Sequence, residues 1–148
     1  MKRTLLVDLK NKIGEEVRIR GSVETIRDQG KIIFFIIKDR SSSVQAVCWI
    51  GNGEELFNTA KEVSSESIVD ITGIVKEAKQ VAAGYELEIK SLVIDSLAQT
   101  PLPIVIEEEH SDNLTALNKR LDYRWIDLRS KKNHLMLEVA TTMTKALR

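Results

Sequence analysis

The stretch "GKIIFFIIKDRSSSVQAVCW", from Gly30 to Trp49, decides the reading of this chain. Lys31–Lys38 is a short, continuous run of Ile and Phe bounded by turn residues, which predicts a strand rather than a helix. Asp39–Ser43 has turn chemistry, and Val44–Trp49 resumes as the next strand. Phe34 and Phe35 are adjacent, so alternation along a strand puts them on opposite faces. A buried strand would use such rings as core. A strand that binds nucleic acid turns one of them outward as a platform for a base.

Outward from this stretch the pattern stays β. In Val17–Asp28, Val17, Ile19, Gly21 and Val23 point one way and Arg18, Arg20, Ser22 and Glu24 the other. Asp28–Gly30 is a turn in which Gly30 supplies positive φ. After Trp49, Gly51 and Gly53 end the strand, and Leu56, Phe57, Ala60 and Val63 recur at helical spacing over Glu54–Val63. Ser67–Lys79 and Tyr85–Ala98 alternate again, around a loop at Gln80–Gly84. The order β-β-β-α-β-β predicts a mainly β fold, a five-stranded, partly open Greek-key OB barrel. Glycines at Gly21 and Gly73 suit its strongly coiled strands. An open sandwich of the same order is the alternative.

The character changes at Thr100–Asp112, where Pro101 and Pro103 impose extended backbone and three glutamates follow. Beyond it Leu114, Leu117, Leu121, Trp125 and Leu128 recur at helical steps, with Asp112 as the expected cap. A further helix carries Leu135, Val139 and Met143 on one stripe and reaches Arg148 without a stop signal, so a longer natural polypeptide is expected. The predicted division is a barrel over residues 1–99, a linker over 100–113 and helices over 114–148.

Composition narrows the class. The chain has 148 residues, 43% hydrophobic and 30% charged, with 22 basic and 22 acidic side chains. Net neutrality argues against a general polyelectrolyte binder, though a local basic face remains compatible with it. The single cysteine, Cys48, excludes an intrachain disulfide, and His110 and His134 stand among polar residues rather than in a metal-ligand pattern. No segment has the ~18 apolar residues of a membrane span, and the N-terminus lacks signal-peptide character. A cytoplasmic protein without metal or membrane association is expected.

OB barrels bind their partners mainly on the face of strands two and three. Here that face carries Arg18, Arg20 and Arg27, then Phe34 or Phe35 with Lys38, then Arg40 in the turn and Gln45 on strand three. Cations follow phosphates, an aromatic ring stacks a base, and a glutamine offers both donor and acceptor to a base edge. Glu86 and Glu88 on strand five are suited to accept from a base amine. These residue types favour single-stranded RNA or DNA, set against a core role for Phe35 and simple solvation for the arginines.

The run "VRIRGSVETIRDQGKIIFFIIKDRSSSVQAV", then "TPLP", then "LDYRWIDLRS" resembles the N-terminal part of an aspartyl-tRNA synthetase of the class II, archaeal-like type. Gly21, Arg27, Asp28, Gly30, Phe34, Asp39, Arg40, Gln45, Pro101, Pro103, Leu121, Asp122, Arg124, Asp127, Leu128 and Arg129 fall on the family pattern in order. Ser22 stands where a tryptophan is usual, Thr25 and Ile26 where an arginine precedes the Arg-Asp pair, and "SKK" where many relatives have Arg-Arg-Pro. The resemblance implies an anticodon-binding domain. Phe34, by its spacing to Asp39, would stack on the central uridine of the aspartate anticodon, leaving Phe35 to the core. Gln45 would bond a base edge. Arg27 would contact backbone or base, and one of Glu86 and Glu88 would read the first anticodon base. Lys38 and Arg40 would lie nearby as electrostatic support or turn structure.

The resemblance further implies a homodimeric parent that uses ATP and magnesium to charge aspartate tRNA, with asparagine tRNA left open as a second substrate. The ATP and amino-acid motifs are not in this chain, so no cofactor is expected to bind it and no activation by it alone. The rivals are the same domain of an asparaginyl enzyme, a free-standing single-strand-binding OB module, and a protein-interaction barrel. The "LDYRWIDLR" segment speaks against the last two.

Overall fold

The computed structural model describes residues 2–104, 106 and 115–148. The chain divides into two compact units, Met1–Thr100 and Pro101–Arg148. The first contains strands β1 (Glu16–Asp28), β2 (Ile32–Lys38), β3 (Ser43–Trp49), β4 (Ile68–Glu77) and β5 (Tyr85–Ser96), with helix α1 (Glu54–Glu62) between β3 and β4. The strands close into a barrel in the order β1-β2-β3-β5-β4. This is the expected OB order. Closure is complete because β3 and β5 pair in parallel, at Ala46–Leu87 and Val47–Glu88.

Alternation explains the core. Ile33, Phe35, Ile37, Val44, Ala46 and Cys48 point inward with Val17, Ile19, Val23, Ile71, Leu87 and Ile89. Phe57 and Ala60 of α1 join this core. A 3₁₀ turn at Leu6–Asn11, too short to show a period in the sequence, adds Leu6 and Leu9, both fully buried. Its anchor is Asp39. One carboxylate oxygen accepts from Leu6 N (3.1 Å), the other from Ser41 N (2.7 Å) and Ser42 N (3.0 Å). Burial pushes the Asp39 carboxyl up, but the Ser41 hydroxyl and these three N–H groups outweigh it and hold the carboxyl below its ordinary value.

Strand β1 serves two partners. Residues 16–22 pair with β4 and residues 22–28 with β2. Gly21 and Gly73 sit where neighbouring backbones come closest. A Cβ on Gly21 would lie 2.6 Å from Lys38 O, and one on Gly73 would collide with Glu88 O. The turn after β1 is made by Asp28, whose carboxylate accepts from Gly30 N at 2.7 Å, with Gly30 at φ 81°.

In the second unit the helical stretch beyond the linker breaks into α2 (Leu117–Asp122) and α3 (Arg124–Asp127), followed by α4 (Lys131–Leu147). The expected cap Asp112 and the first stripe residue Leu114 lie outside the described residues, as does His110. The apolar stripe read from the sequence does not form a buried face: Leu117, Leu121 and Trp125 are exposed, while Ile126 and Asp127 are buried. The organising group is Asp127, whose carboxylate accepts from Arg120 Nε (2.7 Å) and from Arg124, and whose main-chain oxygen accepts from Asn133 Nδ2 (2.9 Å). Burial raises that carboxyl, and the two guanidiniums bring it below its ordinary value. Ser130 caps α4, where Leu135, Val139 and Met143 are all exposed. No helix among the described residues is long and apolar enough to cross a membrane.

Candidate nucleic-acid interface

The outer faces of β2 and β3 form one wall of a groove of about 650 Å³. Its floor is apolar, from Ile32, Phe34 and Ile36 on β2 and Val47 on β3. These are the residues out of phase with the core positions, and each is half-buried. Phe34 therefore lies in the groove and Phe35 in the core, where it is 1% exposed.

Arg27 reaches this groove because β1 is irregular. Strict alternation from Val17 through Val23 would turn Thr25 and Arg27 into the barrel. The pairing runs Val23 to Ile37 and then Thr25 to Ile36, which inserts one extra residue, Glu24. A bulge of this kind re-aims every side chain after it. Thr25 and Arg27 consequently face outward and line the groove, with Arg27 directly opposite Phe34.

Gln45 and Glu86 close the polar side. Gln45 pairs with Ile36 on β2 and lies diagonal to Phe34. Its Nε2 donates to Glu86 Oε2 at 3.0 Å. A carboxylate only accepts, so this bond fixes which end of the Gln45 amide is nitrogen. One amide N–H, the amide oxygen and the second Glu86 oxygen then remain to meet a ligand. The fourth wall is the end of β4 at Glu77 and the residues after it, 78–81, which span the end of the predicted strand Ser67–Lys79 and the start of the predicted loop Gln80–Gly84.

Of the seven side chains singled out in the sequence, the groove gathers Arg27, Phe34, Gln45 and Glu86. Glu88 shares Glu86's outward face but is held elsewhere. Lys76 bonds it, Asn52 Nδ2 donates to it at 3.2 Å and Lys90 stands at 3.7 Å. The bond from Lys76, against the opposing effect of burial, keeps its carboxyl below the ordinary value. Lys38 stands 3.9 Å from Glu24 at the far end of β2. Arg40 lines a separate concavity with Lys2, Arg3 and Lys12. Arg18 and Arg20 lie on the β1–β4 side, paired with Asp70 (2.8 Å) and Asp95 (2.7 Å). The hydrogen bond from Arg18 lowers the Asp70 carboxyl. Thr25, Ile32, Ile36 and Val47 were not among the sequence candidates, although alternation outward from Phe34 points to both isoleucines.

This fold is shared with known proteins. Residues 17–95 match the "tRNA_anti-codon" family, described as an OB-fold nucleic acid binding domain. The chain belongs to that family: it is an OB-fold anticodon-binding domain. Its relatives divide between two class II ligases of related specificity. The chain is 34% identical over 148 residues to an asparagine–tRNA ligase of Desulforamulus reducens, covering 100% of this chain and 33% of that protein. It is also 34% identical over 137 residues to an aspartate–tRNA(Asp/Asn) ligase of Methanocaldococcus jannaschii, covering 91% and 30%. The crystal structure of asparaginyl-tRNA synthetase from Pyrococcus horikoshii, complexed with asparaginyl-adenylate, superposes with a TM-score of 0.87 at 30% identity, covering 99% of this chain and 33% of that one. The chain thus spans about a third of the length of these relatives.

Proposed function

We propose that the groove recognises the anticodon of aspartate tRNA for a parent aspartate–tRNA ligase. The observation that carries this reading is the convergence of an aromatic ring, a cation and a donor–acceptor pair in one apolar-floored groove. Phe34 stacks the central anticodon base, Arg27 across from it engages backbone or base, and Gln45 bonds a base edge. Glu86 accepts from the first anticodon base. Glu88 is set aside because Lys76 and Asn52 already occupy it. Lys38 and Arg40 act outside the groove, as support for the turn and its local charge.

In this reading the domain positions tRNA, and the chemistry belongs to the rest of the parent. That parent is a cytoplasmic homodimer whose catalytic domain engages ATP and magnesium and esterifies the tRNA terminus with aspartate. This chain by itself catalyses no aspartate-dependent exchange of pyrophosphate into ATP. The asparaginyl ligase is the second reading, favoured by the asparagine-specific names among the relatives. Affinity for aspartate, asparagine and lysine anticodon stem-loops at one fixed salt concentration tests both. Preference for the aspartate loop is expected. Preference for the asparagine loop selects the second reading, and equal affinity for all three removes base reading altogether.

A further inference from the structure

We propose that Trp49 is a second stacking platform, receiving the base of the nucleotide that adjoins the one on Phe34. This inference rests on the nucleic-acid reading of the groove. The β2–β3 register is unbroken, with Phe34 opposite Val47 and Ile32 opposite Trp49. Gln45 and Trp49 are therefore the two diagonal neighbours of Phe34 on the same outer face, each about 7–8 Å away and within reach of long side chains. That separation suits one unstacked nucleotide step. Gln45 offers hydrogen bonds on one diagonal, and Trp49 offers a ring face on the other.

The state of the ring supports the role. Trp49 is 50% exposed, a large apolar area to leave open on a strand. The ring lies over Gly51, where any Cβ would collide with it, so its orientation is held by backbone on one side. A ring held in place loses little rotamer freedom when a base packs on it. Among the described residues the cation–ring contact present is Lys61 over Phe57, away from Trp49. Ile50 N donates to Lys31 O at 3.0 Å, which brings an exposed lysine beside the end of β3 that carries Trp49, just beyond the groove residue Ile32. A phosphate passing from Phe34 to Trp49 meets a cation there.

The full chain and its Trp49→Ala, Trp49→Leu and Trp49→Phe variants are titrated with the aspartate anticodon stem-loop. They are titrated also with stem-loops that are abasic on one side or the other of the central anticodon base. Thermal melts first establish that each variant is folded, and Phe34→Ala is run in parallel. Loss of one stacked base predicts a weakening of about 5- to 150-fold for Trp49→Ala. Trp49→Leu, which keeps apolar bulk without a π face, should lose as much, and Trp49→Phe should recover most of it. The Trp49→Ala penalty should vanish on one of the two abasic loops. A folded Trp49→Ala that binds like wild type, or an equal penalty on both abasic loops, overturns the inference alone when Phe34→Ala is impaired. Absence of binding by wild type, or an unimpaired Phe34→Ala, overturns the groove reading and this inference together.

Discussion

Replacing Phe34 and Phe35 by alanine, one at a time, separates binding from folding at neighbouring positions. Phe35 is 1% exposed and packs among the core residues of the barrel. Truncating a core phenylalanine costs about 3–5 kcal/mol, from lost burial and the cavity left behind. That is a large part of the ~5–15 kcal/mol that holds an ordinary domain folded. Phe34 is half-buried on the groove floor, so its truncation forfeits roughly half of a ring's ~1.5–3 kcal/mol of burial and opens no closed cavity. Under the proposed anticodon reading its contribution to ligand is of another kind: a base stacked on an aromatic ring contributes about 1–3 kcal/mol, or roughly 5- to 150-fold in affinity.

Two assays read the two effects. Urea denaturation should place the Phe35→Ala midpoint well below that of Phe34→Ala, with wild type highest. Titration with the aspartate stem-loop, corrected for folded fraction and held at one salt concentration, should reverse the order: Phe34→Ala weak, Phe35→Ala near wild type. Either of two results refutes the reasoning. One is a folded Phe34→Ala with wild-type affinity, which removes stacking. The other is a Phe35→Ala as stable as Phe34→Ala, which contradicts the assignment of faces.

Asp39→Ala strips the acceptor from Leu6 N, Ser41 N and Ser42 N and should cost about 1–3 kcal/mol at pH 7, read by urea denaturation. Because folding lowers the Asp39 carboxyl, its ionic contribution is complete above the unfolded value of ~3.9 and is lost as pH falls through the lower folded value. The stability gap between wild type and Asp39→Asn should therefore shrink below about pH 4, and a gap unchanged down to pH 2 would contradict this. Gly73→Ala drives a methyl into Glu88 O across β4–β5 and should destabilise by about 1–3 kcal/mol or more; a thermal midpoint equal to wild type would show that the strands part freely. Cys48 is buried, and burial pushes its thiol up, so a thiol reagent should label native protein only at the rate of opening, far more slowly than in urea.

Period-2 alternation was enough to lay out the strands and to set Phe34 and Phe35 on opposite faces, because that information is local. What it could not supply came from partners distant in sequence. Glu86 and Glu88 are alike to any alternation rule. Their distant partners separate them: Lys76, opposite Glu86 in the β4–β5 register, reaches diagonally to Glu88, where Asn52 also donates, while Gln45 of β3 bonds Glu86. Arg18 and Arg20 look as available as any strand arginine until Asp70 and Asp95 arrive from β4 and β5. The 3₁₀ turn at Leu6–Asn11 is too short to show a period, and its anchor, Asp39, lies more than thirty residues away in the chain. In the second unit, helical spacing found helices but not their buried side, since burial there follows the Asp127 network rather than the leucine stripe.

Arg27 brings the local and the distant together. Its phase in the sequence is wrong for the groove: counted from Val17 it belongs inside the barrel. Two requirements meet on β1. The first half must seat Val17, Ile19 and Val23 against β4 and the core, and the second half must present a polar edge beside Phe34. A straight strand of constant phase would bury the Arg27 guanidinium, whose charge the core has no partner to match. The extra residue at Glu24 removes the conflict, and it falls two residues past Ser22, where β1 passes from β4 to β2. Deleting Glu24 should therefore do more than shorten a strand. It would swap the faces of Thr25, Ile26 and Arg27, and restoring them would require β1 to slip one residue against β2. The outward placement of Arg27 beside Phe34 thus depends on this one irregularity in the β1–β2 ladder.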